Sequence, residues 1–274
     1  MNIKVMEWNL NFKANRNAKL ACFIKDIIKE YDIIIFTEVV INDSVIQLMN
    51  ELGEYNFFES YNNIGNQIVI AIRRTIKVTH VITKIPNTSL YNTPNFLHVE
   101  IMLNEVKYQI IGVRIRIEDG SDNDYKERRK QAEVFANYIS DKENVVVLGD
   151  FNNSYICGDM DEEYIWVKKR YETPKKDGTL RSTRFYCYQM MREIMSENIK
   201  IYTPRDKFSW GLEYDNGNFK YGYIKNDHIL ASKNLTLEMV DYNWDFVSNN
   251  MTDYEEEIRN GFPDHAIISA EIKL

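Results

Sequence analysis

A chain of 274 residues, 44% hydrophobic and 27% charged, can bury a large core, and its net charge of −7 excludes a protein that coats nucleic acid by bulk attraction, though not one with a local basic groove. Cys22, Cys157 and Cys187 form neither a zinc pattern nor a disulfide framework, so reduced thiols are expected. No apolar run is long enough to cross a bilayer, and no basic stretch with an apolar core opens the sequence, so a cytoplasmic location away from membranes is expected.

The alternation from Ile3 to Leu10 predicts a first strand that exits through Asn9 and Asn11. Ala18 to Glu30 has helical spacing, with Leu20, Phe23, Ile24, Ile27 and Ile28 on one face. Ile33 to Phe36 is an unbroken apolar run that ends in Thr37-Glu38-Val39. Strand, helix and strand in that order predict a layered α/β fold. A helix over 44–52 follows, then strands over 56–60, 67–73, 78–85 and 96–103. The strand beginning at Tyr108 is expected to run through Ile117, with Arg114 and Arg116 on one face. An acidic loop over 118–124 precedes a helix over 125–139.

Val145 to Leu148 then reads as a buried strand that Gly149 brings to an end before Asp150 and Asn152. A carboxylate and an amide just past a strand end can bind a metal, hold a phosphate or polarise a water. The same pair can also close a strand as an Asx turn. Beyond Asn153 the chain is polar. Seven basic residues (Lys168, Lys169, Arg170, Lys175, Lys176, Arg181, Arg184) face only Glu172 and Asp177 between Ile165 and Phe185. A helix is expected over 186–196, and strands over 208–210 and 221–230 around a turn at 215–218. Strands over 235–240 and 266–272 complete the chain, with a charged segment at 253–260 between them. With no repeat, low-complexity tract or Pro/Gly linker, one domain over 1–274 is expected.

Five places share one arrangement, an apolar strand followed by a carboxylate, amide or imidazole: Asn9 with Asn11, Glu38, Asp150 with Asn152, Asp227, and Asp264 with His265. Hard oxygen donors of this kind suit Mg²⁺ or Mn²⁺, and a base among them can take a proton from water.

Trp8-Asn9-Leu10-Asn11, Thr37-Glu38, Gly149-Asp150-Phe151-Asn152, Phe208-Ser209-Trp210, Asn226-Asp227-His228-Ile229-Leu230 and Pro263-Asp264-His265 resemble, in order, the motifs of the endonuclease/exonuclease/phosphatase (DNase I-like) superfamily. The resemblance implies a four-layer α/β/β/α sandwich of two mostly antiparallel sheets, with the site where strand ends meet. It implies Mg²⁺ or Mn²⁺ held by Glu38, Asn11 and Asp264, with Asn9 supporting the Glu38 carboxylate and the metal shell. Asp150 would orient or deprotonate the attacking water, Asn152 would hold the phosphate, and His265 would contact it with Asp227 fixing its tautomer. Whether Asp150 or His265 is the base stays open. One departure stands out: where many members carry His or Tyr, this chain has Arg114, which can bind phosphate but cannot exchange a proton near neutral pH.

The expected function is metal-dependent hydrolysis of nucleic acid by a monomer. Lys168, Lys169, Lys175 and Lys176 would form a backbone-binding arm, and Arg114 and Arg116 would bind phosphate. A phosphatase or phosphodiesterase of a small molecule or lipid headgroup uses the same site, and a non-catalytic protein with a decayed site is the third reading. His80, His98 and His228 are expected to be structural or surface residues.

Overall fold

A computed structural model describes residues 2–12, 18–61, 66–89, 93–117, 121–153, 194, 197–204, 208–215, 218–246 and 261–274. The charged segment at 253–260, Cys157, Cys187, the basic stretch with Lys168, Lys169, Lys175 and Lys176 and, apart from Ile194, the expected helix over 186–196 lie outside the described residues.

The chain begins with strand β1 (Asn2–Asn9), helix α1 (Ala18–Ile27) with a 3-10 turn at Ile28–Glu30, β2 (Ile33–Val39) and α2 (Asp43–Glu51). Strands β3 (Tyr55–Glu59), β4 (Gln67–Arg73), β5 (Lys77–Ile82), β6 (Asn95–Leu103) and β7 (Val106–Arg114) follow, then α3 (Asp122–Ile139). The second half contributes β8 (Val145–Asp150), β9 (Ile199–Tyr202), β10 (Trp210–Asp215), β11 (Asn218–Ile224), β12 (Asp227–Ser232), β13 (Thr236–Asn243) and β14 (Ile267–Lys273).

One six-stranded sheet has the order β13-β14-β1-β2-β4-β3, and the other β5-β6-β7-β8-β12-β9. Each holds a single parallel pair, β1 with β2 and β7 with β8, and is otherwise antiparallel. Strands β10 and β11 pair separately. The sheets pack face to face through Ile3, Val5, Ile35, Ile70, Val99, Val146, Leu148, Ile229 and Ile268. Met6, Trp8, Ile34 and Phe36 turn the other way and meet Leu20, Ile24 and Leu48 of the α1/α2 layer. Behind the second sheet, Ile111, Val113, Val145 and Val147 meet Ala132, Phe135 and Ile139 of α3. Period-two alternation on both sheets and 3.6-residue spacing on the helices thus produce the expected α/β/β/α sandwich.

Four details differ from expectation. Strand β8 does not stop at Gly149 but continues to Asp150. Glycine is required there because a Cβ would lie 1.8 Å from the Val113 carbonyl oxygen, so it marks a close approach of β7 and β8. The strand with Arg114 ends at that residue instead of running to Ile117. The strand expected over 221–230 is two strands, β11 and β12, separated at Lys225-Asn226, so Asp227 opens a strand instead of closing one. Ile199–Tyr202 forms an unexpected short strand beside β12.

Candidate active site

Strands β1, β2, β7 and β8 end where β12 and β14 begin, so one end of the sandwich collects the polar residues at all six termini. On β1, Asn9 shares the inward face of Ile3 and Val5; on β8, Asp150 shares that of Val146 and Leu148. Facing one another across the sandwich, they meet: Asn9 Nδ2 donates to Asp150 Oδ2 at 3.0 Å. The support expected from Asn9 for Glu38 therefore goes to Asp150. Asn9 Oδ1 accepts from the Asn11 backbone N–H at 2.9 Å.

Asp150 receives two further donors from Asn152, whose backbone N–H reaches Oδ1 at 2.8 Å and whose Nδ2 reaches Oδ2 at 2.9 Å. The Asn152 Nδ2 also donates to the Ile115 carbonyl at 2.8 Å, so its N–H groups are spent on fixing Asp150 and the adjacent loop. Burial and the nearby Asp227 carboxylate push the Asp150 carboxyl up to about 7.

Glu38 reaches the site by an irregularity. Strict alternation would turn it outward with Ile34 and Phe36. The β2/β4 register shifts between Phe36 and Val39, and Glu38 has φ 53°, which swings its carboxylate toward the opposite sheet. There Arg114 Nε donates to Glu38 Oε1 at 2.7 Å, and a second guanidinium nitrogen closes on the same oxygen. Arg114 Nε also lies 3.8 Å from Asp150 Oδ2. Arg116 takes no part in this cluster: its guanidinium donates to the Thr93 carbonyl at 2.8 Å and its backbone N–H to Gln131.

His265 and Asp227 form the third link between the sheets. Asp227 accepts from His265 Nδ1, at 2.9 Å through Oδ2. Burial alone would lower the imidazole, but Asp227 beside it prevails and raises it to about 10. The Trp8 indole donates to the His265 carbonyl at 2.9 Å and fixes that segment from below. His228 turns away from Asp227, between the Thr203 hydroxyl and the Asn153 carbonyl, each at 2.7 Å. His98 is buried against the Tyr138 hydroxyl and His80 is exposed, both remote from these residues.

Two residues at the site carry roles the sequence reading did not assign. Ser209 is fully buried; its Oγ accepts the N–H of Asn226 at 2.7 Å and of Asp227 at 3.1 Å, and its carbonyl accepts from Ala266. Glu7 lies in the sandwich core between Val5 and Asn9, fully buried, with Thr37 donating to Oε1 at 2.8 Å. Burial, then Asp227, hold its carboxyl well above the usual carboxylate range. Its position two residues before Asn9 on an alternating strand was the available signal.

The residues offer a hard cation an all-oxygen setting. Asn11 Nδ2 donates to Asp264 Oδ1 at 2.6 Å, and the next residue, Phe12, donates its N–H to the Glu38 carbonyl at 2.9 Å. Among the described residues, Glu38 Oε2 and Asn11 Oδ1 have no partner. Two carboxylates and an amide fit Mg²⁺ or Mn²⁺ by donor type. Among the described residues no cluster of three or more His, Cys, Asp or Glu holds a metal on its own.

The model of the Endonuclease/Exonuclease/phosphatase family matches residues 6–253. The chain belongs to this family. Its fold is that of D. rerio TDP2 in complex with a single-strand DNA product (TM-score 0.66, 14% identity, covering 100% of this chain and 99% of that one). It is also that of a 3'-5' exonuclease, NExo, from Neisseria meningitidis (TM-score 0.66, 17% identity, 99% and 100%) and of the endonuclease domain of the retrotransposon TRAS1 (TM-score 0.59, 14% identity, 99% and 99%). The curated proteins contain no match. Family members are phosphoester hydrolases, and this chain is one of them. No helix among the described residues is long and apolar enough to cross a membrane.

Proposed function

We propose that the protein hydrolyses phosphodiester bonds of nucleic acid, using a divalent cation and the residues gathered at the open end of the sandwich. The observation that carries this reading is the convergence of three links between the sheets: Asn9 with Asp150, Arg114 with Glu38, and Asp227 with His265. Bound through Glu38, Asn11 and Asp264, Mg²⁺ or Mn²⁺ would neutralise charge on a phosphoryl oxygen.

The chain's own groups supply the remaining steps. Asp150, held by donors from Asn9 and Asn152, takes a proton as water attacks phosphorus in line. His265, its Nδ1 committed to Asp227, presents Nε2 as a donor to a phosphoryl oxygen. That assigns Asp150 the part of base and His265 that of charge-stabilising donor. The unspent guanidinium nitrogen of Arg114 is placed to take a second oxygen.

Nucleic acid is favoured as substrate by the fold neighbours, which include a complex with a single-strand DNA product and a 3'-5' exonuclease, and by the basic stretch containing Lys168, Lys169, Lys175 and Lys176. The test is cleavage of labelled single- and double-stranded DNA and RNA with Mg²⁺, Mn²⁺ or EDTA, alongside His265→Ala. Metal-dependent cutting that the variant loses is the expected result. Absence of cutting on every polymer, with phosphate release from a nucleotide or inositol phosphate instead, would overturn the nucleic-acid assignment.

A further inference from the structure

Glu38 faces two claims on one carboxylate. Two nitrogens of the Arg114 guanidinium converge on Oε1, and both residues are 8% exposed. The pair leaves one polar atom unspent on each side, and neither is among the buried atoms that lack a partner, so both open onto solvent where a ligand can reach them. Among the described residues, Glu38 Oε2 has no donor and the third nitrogen of Arg114 no acceptor. The acceptor left over suits a cation and the donor left over suits an anion. The Glu38 backbone, at φ 53°, turns its carboxylate into the site, and of the two side chains the longer arginine has the greater reach to a new partner.

We infer that Arg114 competes with the divalent cation for Glu38, and that a substrate phosphate relieves the competition by drawing the guanidinium away. A unit positive charge a few ångströms from a dication repels it strongly in this buried setting. Phosphate matches the guanidinium fork better than a single carboxylate oxygen does. Cation and phosphate therefore bind cooperatively through Arg114, and by linkage each raises the other's affinity by the same factor. Arg114 thus keeps the site poor in metal until a phosphate arrives. This inference rests on the metal role given to Glu38 above.

The experiment is a Mn²⁺ titration followed by electron paramagnetic resonance, with and without inorganic phosphate, on the whole chain and on Arg114→Gln and Glu38→Gln. Without phosphate, Arg114→Gln is expected to bind Mn²⁺ at least about tenfold tighter than wild type. Phosphate is expected to tighten Mn²⁺ binding about tenfold in wild type and far less in Arg114→Gln. Equal affinities in the two proteins, or equal tightening by phosphate, would overturn the inference. Retention of the Mn²⁺ site in Glu38→Gln would instead sink the metal assignment itself, so the two failures are separable. Should Arg114→Gln not fold, the ¹⁵Nε–¹H signal of Arg114 in wild type, assigned by its loss in Arg114→Lys, gives the answer. It is expected to move when Mg²⁺ and phosphate are added together; an unmoved signal at saturation would rule the exchange out.

Discussion

The Nδ1 of His265 lies 2.9 Å from Asp227 Oδ2, although the two residues lead into strands of opposite sheets. Asp227 opens β12 and His265 precedes β14. The contact orients an imidazole at the site and also ties the two layers together where the core ends. Its electrostatic consequence is a histidine raised to about 10, against an ordinary value of 6.5. The sign follows from that shift. The folded chain holds this proton more tightly than the unfolded one, so the stabilisation is complete below 6.5 and is lost as pH rises through about 10. Asp227→Asn removes the charge and leaves burial to act, so the His265 midpoint should fall well below its wild-type value in an NMR titration of the metal-free protein. Turnover at neutral pH should drop by about two orders of magnitude or more. An unshifted midpoint would mean that Asp227 does not govern the imidazole.

Ser209 holds that pair from behind. One hydroxyl oxygen accepts two consecutive backbone N–H groups, those of Asn226 and Asp227, while its carbonyl anchors Ala266. Ser209→Ala leaves two donors unpaired, that of Asp227 buried and that of Asn226 part-buried. The expected loss is about 2 kcal/mol in urea unfolding, since an unsatisfied buried donor costs roughly 1–3 kcal/mol. Because the same donors set the start of β12, kcat should fall about tenfold with KM nearly unchanged, and Ser209→Thr, which restores the hydroxyl, should recover most of it. Loss of stability without a change in kcat would make Ser209 a structural residue only.

The sequence made much of this site legible because strand alternation does most of the work. Asn9, Arg114, Asp150 and Asp227 continue the inward-facing series Val5, Ile110, Leu148 and Ile229 in their own strands, so their meeting across the sandwich follows from period two. Glu38 follows no such rule. Its inward turn depends on a register shift and a positive φ that no glycine or asparagine at that position advertises. The glycine before Asp150 misled for the opposite reason. It reads as punctuation, yet it is needed for the close approach of Val113 inside a continuous strand. Arg114 was visible as a departure from the family pattern, but its pairing with Glu38 depends on a contact between sheets that local pattern does not encode.

Glu7 provides a test that leaves the reacting groups in place. It is fully buried, its Oε2 has no hydrogen-bond partner among the described residues, and burial together with Asp227 raises its carboxyl well above the usual range. The folded state therefore keeps a proton that the unfolded carboxyl gives up near its ordinary value of 4.5. Stability from this group is full below that value and drains away as pH rises toward the folded pKa. Glu7→Gln, uncharged and of the same shape, escapes the penalty. Urea unfolding should find it as stable as wild type near pH 4 and more stable at pH 8, with the gap widening between them. A variant that loses stability with rising pH as wild type does would show that Glu7 is not the group responsible.

The basic stretch from Lys168 to Arg184 can be tested without reference to its conformation. Five net positive charges in seventeen residues of an acidic chain give a polyanion something to hold, and each phosphate neutralised releases counterions. Changing Lys168, Lys169, Lys175 and Lys176 together to Gln should raise KM for a DNA or RNA substrate and spare kcat on a small phosphodiester reporter. The log–log dependence of KM on salt should flatten by about 3, the value for four lysines on single strands. Equal loss on polymer and reporter would place these lysines in the chemistry of the site. An unchanged salt slope would remove them from substrate binding and shift the weight of recognition onto Arg114 and the residues around it.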